Sequence, residues 1–572
     1  MVGFENGAES AKRVVRLARV ASRRMRRLGV RDFGLEHVGR CGSTRKPKNL
    51  ARNFYTQVVK DARIIPVKIS KVPLRVRVTK PKVREINMLY PVVTLSSWVT
   101  YLLRSCPKYV LGGYGLDQPE QYRSLFRQYW QRYKHVDPHH PVYRFFEEDD
   151  WGQVVPWCLH GDEGRGLAKV PLLVTAFQFV IPVLGDQHTS ISGHSFSTRF
   201  ASTFIPARMY AKNDATYRDY HEVVARDCDQ LFFDGLTFDS DDGSDTFYFG
   251  FCGLKGDWPY VRKAAGLVTG FKSSRMCHFC DDKEWWKLGR FSSLHAYNGC
   301  DLNGPLPWKA ETSPLRWIPG ADNPSVCRVD LAHTFAMGFG KDFSAGALIA
   351  LCHIGMFGGG SIPTKLERAY ARFREWVHTA KETCKISEFS LKVFKVSSLQ
   401  YFPVLAGQGH DCIVVCKWIS ELLSAASRDD VEDGERVIFD LVKWTADSAN
   451  GFYRGLYKHG VWIPRDDVPV LCAHGWGITE GYQALARACR DRRWKLLRLR
   501  PKCHMHEHIV RDLQLQIEDP TSHHAINPNC WICWQDEDYI GKVSRISRRT
   551  HPLTVAKRTF VRVLMKYKRL LR

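Results

Sequence analysis

Long apolar runs on either side of a Gly-rich segment predict a β-hairpin in the first third of the chain. Runs at 154–160 and 170–181 predict two buried strands, and the segment GDEGRG at 161–166 between them predicts the turn. Asp162 then lies at the tip of the hairpin, although surface turns also favour Asp and Gly for backbone reasons alone. Three further elements are predicted in the order strand, helix, strand: residues 192–205, 215–233 and 246–252.

Helical spacing of apolar positions dominates the rest of the chain. An amphipathic helix surrounded by arginines is predicted at 11–28, and the compact part of the chain is expected to begin near Asn87. Residues 328–333 predict a strand-like entry that carries an Asp-x-x-His pair, and most of 335–500 follows a helical pattern. The other predicted helices are 96–104, 118–133, 365–384, 412–428, 435–457 and 477–491.

The charge of the chain is concentrated at its two ends. The net charge is +25, and residues 1–86 hold 23 Lys or Arg against 6 Asp or Glu. Residues 542–572 hold 11 Lys or Arg and no acid. Such a balance predicts a polyanionic partner, most simply nucleic acid, with binding that weakens as salt rises. A basic protein that is merely soluble is the alternative interpretation.

Cysteine usage and hydropathy predict a reducing, intracellular location. Eighteen Cys in 572 residues are too sparse for a disulfide scaffold, and we expect no apolar signal region at the start of the chain. The longest apolar run, 170–185, contains Gln178 and is short for a membrane span, so no membrane is expected as a partner. The cluster RRMRR at 23–27 could act as a nuclear address.

Three acids in this pattern fit the chemistry of a two-metal site. The order hairpin, strand, helix, strand matches the first half of an RNase H-like domain, where one acid lies on the first strand and another just after the fourth. The matching residues are Asp162 and Asp257, and Glu537 is the candidate for a third acid on a later helix. Three such carboxylates could hold two Mg²⁺ or Mn²⁺ ions for phosphodiester chemistry. Glu163 and Asp330, the latter with His333, are alternative or accessory candidates.

A second, different metal site is predicted from soft ligands. The segment 253–280 ends in the pair Cys277 and Cys280, which offers half of a tetrahedral site. His504 and His508 lie one helical turn apart and offer the other half, and this ligand set favours a structural Zn²⁺. The pair Cys530 and Cys533 is a rival, with packing beneath the Glu537 helix as its alternative role.

The six motifs together resemble those of a known family. The order Asp, Asp, Cys-x-x-Cys, Asp-x-x-His, His-x-x-x-His, Glu is similar to that of the DDE transposases of the CACTA (En/Spm), Plavaka and Chapaev group, and more distantly of the V(D)J recombinase core. The motifs that carry the resemblance are HGD at 160–162, GDWPYVRK at 256–263, PKCH at 501–504 and EDYIGK at 537–542. The resemblance implies DNA cleavage and strand transfer with Mg²⁺ and Zn²⁺ as cofactors.

The resemblance implies a mixed α/β chain with an RNase H-like catalytic domain, a large α-helical insertion and basic N- and C-terminal arms. We expect a nuclear protein that forms a homo-oligomer on DNA, with Arg23, Arg24, Arg26, Arg27, Arg548 and Arg549 as contacts. A catalytically inactive, domesticated DNA-binding relative and a basic RNA-binding protein are the alternative functions. The expected divisions are a partly flexible arm at 1–86, a helical region at 87–150, the first part of the core at 151–335, the insertion at 336–500, the His and Glu segment at 501–549 and a basic helix at 550–572.

Overall fold

The chain folds as a mixed α/β structure around a curled mixed sheet. The computed structural model describes residues 2–41, 49–79, 81–240, 243–270, 276–280, 307–309, 312–396, 402–550 and 554–571. Residues 271–275 of the segment 253–280, and 551–553 and 572 of the C-terminal helix, lie outside the described residues. Helices hold 56% of the residues and strands 14%, so helices make up most of the protein around the sheet.

The strands are β1 Ser70–Val78, β2 Arg84–Val92, β3 Val154–Arg165, β4 Pro171–Phe179, β5 Phe200–Pro206, β6 Leu236–Ser240, β7 Gly243–Gly256, β8 Trp462–Pro464 and β9 His524–Ile526. The helices are α1 Val2–Glu5, α2 Ala11–Arg27, α3 Phe33–Arg40, α4 Leu50–Lys60, α5 Leu95–Ser105, α6 Pro119–Tyr133, α7 Val142–Phe145, α8 Ser195–Thr198, α9 Ala215–Phe233, α10 Trp258–Ala265, α11 Gly340–His353, α12 Ile362–Thr379, α13 Gly409–Ala425, α14 Arg436–Lys458, α15 Val468–Asp491, α16 Pro501–Leu515, α17 Trp534–Ser547 and α18 Val555–Leu570.

The five-stranded sheet has the order β5-β4-β3-β7-β6, with β3 at its centre. Strand β3 pairs antiparallel with β4 and parallel with β7, and the outer pairs β4–β5 and β6–β7 are antiparallel. The parallel ladder places His160 opposite Lys255 and Gly161 opposite Gly256. Because β3 and β7 run side by side in the same direction, the residues that follow these pairs emerge together at one edge of the sheet.

The predicted turn at 161–166 is wrong, because this segment is the end of strand β3. Asp162 is paired with Val174 of β4 instead of lying at a hairpin tip. The glycines serve close packing: a Cβ atom on Gly161 would lie 2.1 Å from Tyr260 Cζ, and one on Gly164 would lie 2.0 Å from Ser544 Oγ. Helices α10 and α17 thus pack directly on the β3 backbone, and the chain reverses after Gly166.

The predicted helices of the core and insertion are present, most with shifts of one to five residues at their ends, but the helix predicted at 477–491 begins nine residues earlier, at Val468 of α15. The helix predicted at 215–233 is α9, with the same bounds, and the third strand is β5, preceded by the short helix α8. The strand-like entry at 328–333 is wrong: the helix begins at Leu331 and continues through π-helical turns at Ala332–Phe339. The one β contact there is a parallel bridge between Cys327 and Leu254 among the described residues.

The helices of the insertion share a hydrophobic core of their own. Helices α11, α13, α14 and α15 contribute buried residues such as Phe343, Trp418, Phe452 and Leu485 to it. Within the described part of the chain, the stretch Ala332–His353 is long and apolar enough to cross a membrane by length and composition. Of its apolar 18-residue window, 89% is buried inside the protein, as in a core helix.

The N-terminal residues pack on the rest of the protein, which differs from the flexible arm expected at 1–86. Phe4, Val15 and Phe54 are buried against Val561 and Met565 of α18. The hairpin β1–β2 is joined to the large sheet, and Tyr90 Oη donates a hydrogen bond to the Phe204 carbonyl at 2.7 Å. The apolar faces of α2 and α4 are therefore covered by a helix from the other end of the chain.

Candidate functional site

The C-terminal ends of β3 and β7 bring two of the predicted acids to the same edge of the sheet. Asp162 and Asp257 each come one residue after the last glycine pair of the parallel ladder. Asp257 also caps α10, where its Oδ1 accepts a hydrogen bond from Tyr260 N–H at 2.8 Å. One carboxylate oxygen of Asp257 is thus engaged in positioning the helix.

Asp162, His333 and Glu537 form the tightest group of potential ligands at this edge. One ligand atom from each lies within 4.8 Å of those of the other two, so the three could hold a metal ion. Asp257 is not a member of this group, but it is close enough for the charge of Asp162 to affect it. The structure therefore brings Asp162 and Glu537 together beside His333, with Asp257 near Asp162.

Burial is the main reason that the pKa values of these carboxylates are raised, and charge repulsion between neighbours adds to it for Asp162 and Asp257. Burial, followed by the charge of Glu537, raises the pKa of Asp162 to about 7. Burial and the charge of Asp162 raise the pKa of Asp257 to about 6, and burial also raises the pKa of Glu537. Carboxylates that disfavour each other's charge in this way are stabilised by a bound cation.

His333 is oriented by Asp330, which is not itself a member of the acid cluster. Asp330 Oδ1 accepts hydrogen bonds at 2.9 Å from Ala332 N–H and from Cys533 N–H, and Asp330 Oδ2 accepts one from His333 Nδ1. On the other side of the ring, His333 Nε2 lies 3.5 Å from Glu537 Oε1. Burial alone would lower the pKa of His333, but the Asp330 hydrogen bond and the charges of Asp330 and Glu537 outweigh it and raise the pKa to about 9. Asp330 is thus a capping and orienting residue.

The three consecutive acids at the start of α17 point to different partners. Arg199 forms a two-bond contact with Asp536 at 2.7 and 2.9 Å in the protein interior. Burial would raise the pKa of Asp536, but Arg199 and the neighbouring cations hold it far below its usual value. Asp538 accepts hydrogen bonds from Ser195 Oγ at 2.6 Å and Lys542 Nζ at 2.5 Å. Of the three, Glu537 is the residue whose carboxylate lies with Asp162.

Glu163 does not join the acid cluster. Its side chain is exposed, and its Oε1 accepts hydrogen bonds from Tyr210 Oη at 2.8 Å and Tyr217 Oη at 3.4 Å. Side chains alternate between the two faces of a strand, so Glu163 and Asp162 point to opposite faces of β3. Glu163 therefore lies outside the group formed by Asp162, His333 and Glu537.

A cavity of about 250 Å³ opens beside the acids. Asp257, His333 and Lys502 contribute its polar wall, and Trp258 and Met505 are among its apolar lining residues. Lys502 Nζ donates a hydrogen bond to the His333 carbonyl at 2.6 Å. The sequence patterns did not single out Lys502, although it lies two residues before the first metal-type histidine.

A second potential metal site lies at Cys277, Cys280, His504 and His508. One ligand atom from each of the four lies within 4.8 Å of the others. Cys277 Sγ is 3.2 Å from His508 Nε2, and Cys280 Sγ is 3.3 Å from His504 Nε2. Both cysteines and His504 are buried, and both histidines project from one side of α16. The group therefore joins α16, at the end of the insertion, to the segment that follows α10.

The Cys280 thiol holds its proton firmly. Its side-chain hydrogen bond with Cys277, which favours the protonated thiol, and then burial raise the pKa of Cys280 to about 12. A metal ion binds the thiolate, so binding at this site would release a proton. Two sulfur and two imidazole ligands in one buried group are what a tetrahedral metal ion requires.

Cys530 and Cys533 are not part of that site. Both side chains are fully buried, and their Sγ atoms contact the carbonyls of Val461 and Trp531 respectively. Cys533 does lie near His160 and Asp536 in a group that could in principle bind a metal ion. Both oxygens of Asp536 already accept hydrogen bonds from Arg199, so Asp536 is engaged elsewhere. The cysteine pair is then best explained as buried packing in the segment that leads into α17.

The predicted nucleic-acid contacts lie on two exposed stretches. Arg26 pairs with Glu36 at 2.6 Å, and Arg548 Nε donates to the Arg165 carbonyl at 2.8 Å. The exposed residues of this set are Arg23, Arg24, Arg26 and Arg27 on α2 and Arg548 and Arg549 at the end of α17. Their geometry permits phosphate contacts, which require charge and access more than a fixed orientation.

No protein-family model matches the chain, and no curated protein matches its sequence.

Proposed function

We propose that the chain is a DDE-type transposase, or a transposon-derived recombinase or nuclease, that cleaves DNA phosphodiester bonds with divalent metal ions. Asp162, Asp257 and Glu537 would hold Mg²⁺ or Mn²⁺. Cys277, Cys280, His504 and His508 would hold a structural Zn²⁺. The single observation that carries the proposal is the meeting of Asp162 from the central strand with Glu537 from a helix near the end of the chain.

The strand order supports an RNase H-like fold. Three antiparallel strands, β3, β4 and β5, are followed by helix α9 and then by β7, which returns to the centre and pairs parallel with β3. The first and fourth of these strands carry the acids at their C-terminal ends, where ligands bind in such sheets. Beyond β7, the edge holds the hairpin strand β6 and the Leu254–Cys327 bridge instead of a long fifth parallel strand.

The acid cluster supports metal-dependent hydrolysis more than acid–base catalysis alone. Divalent ions bound here would activate an attacking oxygen and stabilise the leaving oxygen of a phosphodiester. The chain's own residues would supply hard oxygen ligands from Asp162, Asp257 and Glu537. Lys502, at the cavity wall, would supply positive charge to the phosphate, and His333, held by Asp330, would lie beside the ions.

The Cys₂His₂ group supports a structural role for the second metal. Two thiolates and two imidazoles complete a tetrahedral shell and leave no position for a substrate. Soft sulfur ligands select Zn²⁺ over Mg²⁺, whereas the oxygen ligands of the acid cluster select the reverse. The two sites would therefore bind different ions from the same solution.

The test is a nicking assay on supercoiled plasmid with the full chain. We expect relaxed circles with Mg²⁺ or Mn²⁺ and none with EDTA. Asp257→Asn should lower the rate by at least about 100-fold, because even outer partners of metal ligands are worth about 10- to 100-fold. Glu163→Gln, an acid on the opposite face of β3, is the control and should nick like the wild type.

Two results would overturn the proposal. Equal nicking by Asp257→Asn would identify a contaminating nuclease. A wild-type protein that binds duplex DNA and contains zinc but nicks in neither metal would instead be the inactive, domesticated DNA-binding relative.

A further inference from the structure

A layer of buried charged side chains lies directly beneath the acid cluster. On β3, His160 precedes Asp162 by two residues, so the two side chains share a face of the sheet. Lys255, near the end of β7, precedes Asp257 by two residues, and Asp257 directly follows that strand. His160 and Lys255 are also direct partners in the parallel ladder. His160 and Lys255 therefore lie side by side, each two residues before one of the two aspartates.

The third element of the acid cluster contributes to the same layer. Asp536 immediately precedes Glu537 in the first turn of α17. Its two oxygens accept hydrogen bonds from Arg199 Nε and Nη2 at 2.9 and 2.7 Å, and Lys255 Nζ lies 3.3 Å from Asp536 Oδ2. The side chains of all three residues are 0% exposed. Two cations and one carboxylate thus meet without contact with solvent.

Lys255 also ties the sheet to the chain segment that leads into α17. Its Nζ donates a hydrogen bond to Gln178 Oε1 of β4 at 2.7 Å. It lies 3.4 Å from the carbonyl oxygens of Cys530 and Ile532, just before α17. The start of α17 is therefore fixed to β4 and β7 through one ammonium group, and to Arg199 through the carboxylate of Asp536.

Such a layer is an expensive way to obtain stability alone. Taking charges out of water is unfavourable for each ion, and well-packed apolar residues often stabilise a fold equally well. A network of directional bonds does fix one register between a helix and a sheet. Because Asp536 and Glu537 are adjacent, any slip of Asp536 would displace Glu537 from Asp162.

We propose that Arg199, Lys255 and Asp536 are positioning residues that fix α17 on the sheet so that Glu537 faces Asp162. This inference rests on the proposed function, because it takes the acid cluster to bind divalent ions. The network acts through the ligands, and it touches neither the metal nor the DNA.

The test changes the hydrogen-bonding geometry of residue 199 while it keeps the positive charge there. In Arg199→Lys the positive charge remains, but the planar two-bond fork to Asp536 is lost. We expect Mn²⁺ binding to the acid cluster, followed by the electron paramagnetic resonance signal of free Mn²⁺, to weaken by about 10-fold or more. Zinc content and thermal midpoint should show a folded protein. The Mn²⁺ binding that is lost in Glu537→Gln is the binding at the acid cluster, so this variant shows which part of the titration belongs to that site.

Arg75→Lys is the matched control, because Arg75 makes a similar fork with Asp219 between β1 and α9. It should bind Mn²⁺ like the wild type. Lys255→Met is the second variant, since it leaves the Arg199–Asp536 pair intact, and we expect its nicking rate at saturating Mn²⁺ to fall by about 10-fold.

Wild-type Mn²⁺ affinity in a folded Arg199→Lys protein would overturn the inference. So would loss of zinc and of the thermal transition in both variants, because the layer would then serve folding alone. If the wild-type protein binds Mn²⁺ at Glu537 but cuts no DNA, the proposed function fails while the affinity comparison still decides the inference. If Glu537→Gln leaves Mn²⁺ binding unchanged, the acids hold no ion and the inference falls.

Discussion

Cys277→Ser is expected to abolish zinc binding and to destabilise the junction between α16 and the segment that follows α10. The four ligand atoms lie within 4.8 Å of one another and join α16 to the segment after α10. Structural zinc contributes on the order of 10 kcal/mol in small domains, so loss of one thiolate should lower the thermal midpoint clearly. Zinc content by mass spectrometry should fall from about one ion per chain to near zero.

Cys530→Ser is the control for this prediction. Cys530 is as deeply buried as Cys277 but lies outside the Cys₂His₂ group. It should retain its zinc, even if packing is somewhat weakened. Zinc that survives in Cys277→Ser but is lost in Cys530→Ser would show that the ion is bound elsewhere.

Glu537→Gln is expected to lower metal-dependent nicking by at least about 100-fold, whereas Asp538→Asn is expected to have little effect. Glu537 lies with Asp162 and His333, and the amide would remove a charged oxygen ligand. Asp538 is exposed and bonds Lys542 and Ser195 instead. Exposed ion pairs are worth about 0–1 kcal/mol, so the Asp538→Asn rate should stay within about fivefold of the wild-type rate.

The comparison of these neighbours separates a ligand role from a general effect of charge on α17. Both variants remove one negative charge from the same helical turn. Equal losses in the two variants, measured as initial nicking rates at saturating Mg²⁺, would contradict a specific role for Glu537. Thermal midpoints near that of the wild type would confirm that both proteins are folded.

Periodicity in the sequence predicted most of the elements that carry the site. Helix α9 and the strands β3, β4 and β7 follow local patterns of apolar residues, so their existence could be read from short windows. The Gly-rich end of β3 could not be read in this way. Glycine is used there because Tyr260 and Ser544 approach the strand backbone, and that approach depends on helices distant in sequence.

The roles of neighbouring acids also depend on the tertiary structure. Asp536, Glu537 and Asp538 are equivalent in a sequence window, but successive helical residues point about 100° apart. Arg199 therefore pairs with Asp536 and Lys542 pairs with Asp538, and the carboxylate of Glu537 lies in the acid cluster. The helix predicted at 11–28 is present as α2, but its packing was missed for a similar reason, because residues of α2 and α4 are buried with residues of α18 from the other end of the chain.

The most direct measurement is the anomalous scattering of Mn²⁺ in crystals of the protein grown with that ion and DNA. The account predicts a peak at about 2.1 Å from carboxylate oxygens of Asp162 and Glu537, with Asp257 beside it. If the crystals show the zinc peak at Cys277 and His508 but no anomalous peak between these carboxylates, the proposed divalent-metal site at the acid cluster is contradicted.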